Sequence, residues 1–160
     1  MKYRKWKGLR LPIQSTSKNS YIHNHGCSLI ATCLGLQWAG RYMPMSKVKS
    51  YATKHLHKGS HVKYPLSECA KMINQIMPSK PATPHKGYNA EGIRKALKAG
   101  KMVLYEEDNP VHSVALVRVK GVTYRLSYGK ATRTTVNKAV RRRCTSPYYK
   151  GWVSVRKGRS

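Results

Sequence analysis

Apolar residues return at helical spacing in the first two thirds of the chain and at strand spacing in the last third. After a polar turn ending at Gly26, the positions Ile30, Cys33 and Leu34 predict a buried helix from Gly26 to Leu36, broken up by Gly35, Gly40 and Pro44. Ser46 reads as the cap of a second helix, with Val48, Tyr51 and Ala52 along one side. Leu66 to Met77 reads as a third, with Cys69, Ala70, Ile73 and Ile76 inward. Pro78, Pro81 and Pro84 predict a stiff linker, and Asn89 a cap for a fourth helix, closed by Gly100 in a left-handed conformation. From there Met102–Tyr105, Ser113–Val119 and Val122–Leu126 read as strands, the last two joined at Lys120-Gly121. A short helix within 134–144 and a closing strand Trp152–Val155 complete the pattern.

Helices first and an antiparallel sheet second make an α+β domain, with the helices expected on one side of the sheet and any cleft between the two halves. Residues 1–25 read as an irregular basic entry arm, in which Leu11 to Gln14 forms a short extended piece. Residues 26–156 read as a single domain and 157–160 as a basic tail.

Charge changes this picture. Among 160 residues, Lys and Arg number 32 against 5 acidic residues, a formal net charge of +27. The chain is nonetheless 40% hydrophobic, which excludes a disordered basic tail as the whole account. Such a charge attracts polyanions, whether nucleic acid, anionic lipid, teichoic-type polymers or acidic proteins, and a plain solubilising surface is the alternative. The cations are spread along the chain, with one dense knot at Arg141-Arg142-Arg143. Cys27, Cys33, Cys69 and Cys144 form no CxxC pair, which argues against zinc; no metal or other cofactor is expected. Reduced thiols, with neither a secretory signal nor a transmembrane run, suggest an intracellular (cytoplasmic) or virion-associated protein. Oligomeric state is not legible.

The candidate chemistry starts at Cys27, which falls at the first turn of its helix, where free N–H groups and the helix dipole favour a thiolate. A buried core cysteine is the plainer reading of the same position. Cysteine hydrolysis also needs an imidazole, a group that orients it and an oxyanion donor. His112, at the head of the most apolar strand, is the candidate imidazole. Glu106, Glu107 and Asp108 hold three of the five acidic residues just before it. They read as a solvated loop, or else as groups that raise the His112 pKa or select a basic substrate residue. His23, His25, His55, His57 and His61 read as exposed loop histidines.

Taken together, Gly26-Cys27-Ser28-Leu29 opening a helix, the helix Glu91-Gly92-Ile93-Arg94-Lys95-Ala96-Leu97, the run Ala99 to Leu104 and the strand His112 to Val117 resemble the papain-like cysteine peptidases. The resemblance is to the bacteriocin-processing, double-glycine-type group and its stand-alone relatives in bacteria and phages, and it spans residues 14–155. It implies Cys27 as nucleophile and His112 as general base and acid. It also implies an oxyanion-donating Gln upstream of the Cys, a place Gln14 fills, with Asn24 and His25 as nearer substitutes. The family's Asp-Pro turn would fall at Leu126-Ser127-Tyr128-Gly129, which has no carboxylate or amide, so Ser127, or Asn137 by another route, is left to orient the imidazole. The implied substrate is a peptide, a protein or a cell-wall peptide cross-link. The competing reading is a basic nucleic-acid or polyanion-binding protein without catalysis.

Overall fold

A computed structural model of the chain describes residues 1–108, 110–149 and 151–158. Asn109 and the last two residues of the basic tail lie outside the described residues. The most apolar strand, β5 (His112–Val119), runs through the middle of a six-stranded antiparallel sheet. Its neighbours are β4 (Met102–Glu107) and β6 (Val122–Ser127), followed outward by β7 (Lys130–Thr134) on one side and by β8 (Trp152–Val155) and β3 (Ala82–His85) on the other. Both β4 and β5 are buried nearly throughout, which demands cover on both faces of the sheet.

The period-2 alternation of side chains divides that cover. Met102, Leu104, Ala115, Val117 and Leu126 pack with helices α2 (Cys27–Trp38), α3 (Met45–His55) and α4 (Leu66–Ile76). Val103, Tyr105, Val114, Leu116 and Trp152 pack with α5 (Ala90–Lys98) and α6 (Val136–Arg141). Helices therefore cover both faces, not one as the order of elements suggested. The N-terminal helices take the first face and two short later ones the second.

The entry arm is not irregular. β1 (Lys2–Trp6) and β2 (Leu9–Ile13) form a hairpin whose turn, Lys7-Gly8, takes positive φ at both residues, as a tight hairpin requires. Leu9 and Leu11 enter the core while Lys2, Arg4, Lys5 and Arg10 stay exposed. A helix, α1 (Ser20–His25), follows with Asn19 as its cap. The proline-rich linker contains edge strand β3, where Pro84 is tolerated because an edge leaves one row of N–H groups unused. Ser46 does not cap α3, which starts at Met45 after Pro44 with no side-chain cap. Asn89 does cap α5, accepting from the Gly92 N–H, and Gly100 takes φ +82°.

Candidate active site

Cys27 is placed by a close approach of backbone. Gly26 joins α1 to α2, and a Cβ there would lie 2.6 Å from both the Cα and the carbonyl oxygen of Ile22. Only glycine lets α1 fold back so tightly that Cys27 becomes the first residue of α2. The first-turn N–H groups of a helix have no intrahelical acceptor, which makes the Cys27 backbone N–H a candidate oxyanion donor. Cys27 is 6% exposed, and its sulfur accepts a hydrogen bond from the Ser113 N–H at 3.5 Å.

That bond brings the sulfur to the head of β5, where His112 is the preceding residue. Cys27 and His112 line one narrow cavity with Gln14, Ser127 and Tyr128. Ser127 Oγ lies 2.7 Å from His112 Nε2. Ser127 closes β6 and the turn Tyr128-Gly129 follows, both residues with positive φ. A Cβ on Gly129 would come within 2.6 Å of Ile13 Cγ1, so the turn is pressed against the N-terminal hairpin. Tyr128 stacks on the imidazole with ring centroids 4.3 Å apart. Burial, then the nearby charges of Lys63 and Arg125, push the His112 pKa down to about 4, against a smaller opposing effect of Glu107. The imidazole is therefore neutral at pH 7.

The two glutamates before His112 are not a solvated loop. They end β4, are 1% and 3% exposed, and each has a cation. Glu106 Oε2 accepts from Lys63 Nζ at 2.5 Å, and its Oε1 accepts from the Ser113 hydroxyl. Glu107 takes the Arg125 guanidinium on both oxygens, at 2.8 and 2.5 Å, and accepts from the Tyr105 hydroxyl at 3.0 Å. Burial acts to raise the Glu107 pKa, but Arg125 outweighs it and holds the carboxyl below its ordinary range. With both carboxylates paired, the upward effect of Glu107 on the imidazole is outweighed by burial and by the charges of Lys63 and Arg125. Burial also works against the Lys63 ammonium, yet Glu106 and the Cys27 sulfur outweigh it and raise its pKa. Burial pushes the Glu106 carboxyl up against that pairing. A donor on each oxygen favours the ionised pair.

Gln14 shares the cavity, but its Nε2 donates to the carbonyls of Ile22 and His23, at 3.0 and 3.2 Å, fastening α1 in front of Cys27. An oxyanion role would require it to release one of them. Asn24 spends its amide on Ser20 O within α1, and His25 is exposed beside Tyr21. Asn137 is not brought to the imidazole: it sits on α6, on the opposite face of the sheet from α2, where its Oδ1 accepts from Arg94. All four cysteines are free and buried; burial pushes the Cys33 thiol up to about 11 and the Cys69 thiol to about 12. Among the described residues no cluster of His, Cys, Asp or Glu is arranged to hold a metal, and no helix is long and apolar enough to cross a membrane.

Two neighbours of the site escaped the sequence reading. Lys63 is one lysine among many, and nothing local marks it as 7% exposed. Tyr128 reads as a turn residue, and only the left-handed turn swings its ring over His112.

No protein-family model matches this sequence, and no curated protein matches it either. Its structure, however, superposes on the crystal structure of a proposed C39-like peptidase from Bacillus anthracis with a TM-score of 0.61 at 15% identity, covering 93% of this chain and 96% of the other. That overlap takes in both the helical layer that carries Cys27 and the sheet that carries His112. The chain therefore has an α+β fold like that of a C39-like peptidase.

Proposed function

We propose that the protein is a cysteine hydrolase that cleaves a peptide or amide bond through a thioester on Cys27. What carries the reading is the meeting, in one cavity, of a cysteine at a helix start with a neutral imidazole held at its far nitrogen by Ser127. A neutral His112 accepts the thiol proton at Nδ1 as the sulfur attacks the substrate carbonyl carbon. The oxygen then carries the negative charge and is met by the Cys27 backbone N–H. Collapse breaks the C–N bond, and the imidazolium gives its proton to the departing amine. Water then attacks the thioester, passing a proton to Nδ1, and the acid product leaves as the sulfur recovers it.

The test is cleavage of a randomised peptide library by the whole chain, with products mapped by mass spectrometry. Wild type should give defined cuts and a mass adduct on Cys27 in acid-quenched samples. Cys27→Ala should give neither, and His112→Ala should lower cleavage at least about a hundredfold. Cuts that persist in Cys27→Ala would overturn the reading.

A second reading has its own observation. Arg125, Arg133, Lys138, Arg141 and Arg142 line one cleft beside β7, with Glu107, already bound to Arg125, as its one acidic residue. Such a cleft suits a phosphate-rich polymer. Nucleic-acid binding would fall steeply with salt and would be indifferent to Cys27→Ala.

A further inference from the structure

The buried lysine beside the candidate nucleophile has no part in the scheme above. Lys63 lies in the loop before α4, far in sequence from both Cys27 and His112, and its ammonium is held from two sides. Its Nζ donates to Glu106 Oε2 at 2.5 Å. The Tyr149 ring lies 5.0 Å from the ammonium, a cation–π contact. Glu106 is fixed in turn by the Ser113 hydroxyl, and the N–H of the same Ser113 donates to the Cys27 sulfur. Lys63, Glu106, Ser113 and Cys27 thus join into one connected set, which brings the positive charge of the ammonium to bear on the sulfur.

We propose that Lys63 is a further catalytic residue, an ammonium that holds the negative charge of the Cys27 sulfur whenever the thiolate forms. This rests on the hydrolase reading and deepens it. In a peptidase whose imidazole is oriented by a carboxylate, a stable imidazolium can serve as the counter-charge. Here Ser127 stands at that place and His112 is disposed to be neutral, so the sulfur has no imidazolium held ready for it. Among the described residues, the other titratable groups that feel the charge of the sulfur are Tyr21, Tyr128 and Tyr149, none of them cationic. That leaves Lys63, carrying three N–H bonds of which Glu106 takes one.

The same ammonium helps the second half of the step. While the sulfur is negative, it favours a proton on Nδ1. Once the sulfur is acylated it is neutral, and Lys63 and Arg125 then favour transfer of that proton to the leaving amine. One fixed charge thereby assists in both directions without itself gaining or losing a proton.

The experiment is the rate of iodoacetamide alkylation of Cys27 against pH, followed by peptide mass mapping so that each cysteine is read separately. Lys63→Met alone leaves Glu106 buried without its cation and is at risk of misfolding. The informative variant is therefore the double change Lys63→Met with Glu106→Gln, set beside Glu106→Gln alone. If Lys63 acts on the sulfur, the double variant alkylates about tenfold more slowly at pH 7, its profile moves about one unit to higher pH, and its limiting rate at high pH is unchanged. Glu106→Gln alone, which leaves the ammonium without its carboxylate, moves the profile to lower pH. A double variant that follows the wild-type profile overturns the proposal and reduces Lys63 to a structural partner of Glu106. Peptide cleavage is scored separately. A shifted alkylation profile with no cleavage of any peptide would sink the hydrolase reading and leave the charge pairing standing, whereas cleavage with an unshifted profile would do the reverse.

Discussion

The Tyr128 ring lies flat on the His112 imidazole, the planes 4° apart and the centroids separated by 4.3 Å. The stack exists because Tyr128 adopts φ +53°, a conformation a tyrosine takes only at a cost. At the first position of a two-residue hairpin turn that geometry is required, and glycine, asparagine or aspartate is the usual occupant. Local strain is accepted, and the imidazole gains a roof that keeps water from its face. Burial is the first cause of the low His112 pKa, and this ring is part of the burial.

Tyr128→Gly separates the two effects. Glycine removes the backbone strain and the roof together, whereas Tyr128→Ala removes the roof and keeps the strain. Urea unfolding should find the glycine variant more stable than the alanine variant by about 1 kcal/mol. In both, an NMR titration of the His112 ring should move upward from about 4 toward the ordinary histidine value, by roughly one unit. An unmoved titration would assign the depression to Lys63 and Arg125.

A histidine buried in its neutral form makes stability depend on pH. The folded value near 4 lies below the ordinary 6.5, so between them the unfolded chain binds the extra proton. Stability from this group is complete above pH 6.5 and declines as the pH falls toward 4, by about 1.4 kcal/mol per unit of depression at most. Chemical denaturation at pH 7 and pH 5 should show a drop in wild type that is smaller in His112→Gln. Equal drops would mean that Glu107, whose carboxyl is held low by Arg125, carries the dependence in place of His112.

The two kinds of carboxylate pair in this chain should respond very differently to neutralisation. Glu107 is buried and clamped by the Arg125 fork, while Glu91 meets Arg94 at the surface. Glu107→Gln leaves a half-buried guanidinium without its charge partner and should cost about 3 kcal/mol, read as a lower denaturation midpoint. Glu91→Gln should change stability by less than about 0.5 kcal/mol. Comparable losses in the two variants would contradict the burial difference between the pairs.

What the sequence made legible is tied to period and punctuation. Helix α2, the Asn89 cap, the Gly100 stop and strands β4 to β6 all announce themselves by spacing, and the order of those elements is enough for the α+β layering. Cys27 and His112 were legible because each sits at the first residue of a strongly apolar element. The failures have a common physical origin, in side chains whose role depends on distant partners. Glu106 and Glu107 look like a polar loop until Lys63 and Arg125 arrive from elements 43 and 18 residues away. The cationic hairpin β1–β2 hides its two inward leucines among outward charges. Asn137 was plausible by residue type alone, and the sheet itself separates it from the imidazole.

The departure at Ser127 is the sharpest place to test the site. A serine hydroxyl holds the far imidazole nitrogen by a 2.7 Å bond but supplies no charge. Ser127→Ala should remove that restraint and lower the rate of peptide cleavage about tenfold, a loss of roughly 1.4 kcal/mol in transition-state stabilisation, with kcat falling and KM little changed. Ser127→Asp should place a carboxylate next to the same nitrogen, raise the His112 pKa and stabilise the imidazolium formed during attack. The pH–rate profile is the readout that a purely structural role would not move. With aspartate its acid limb should shift to higher pH, and with alanine it should stay while the plateau drops. If alanine leaves both plateau and limb at wild-type values, the hydrogen bond does not orient the base, and His112 is held by Tyr128 and its own strand alone.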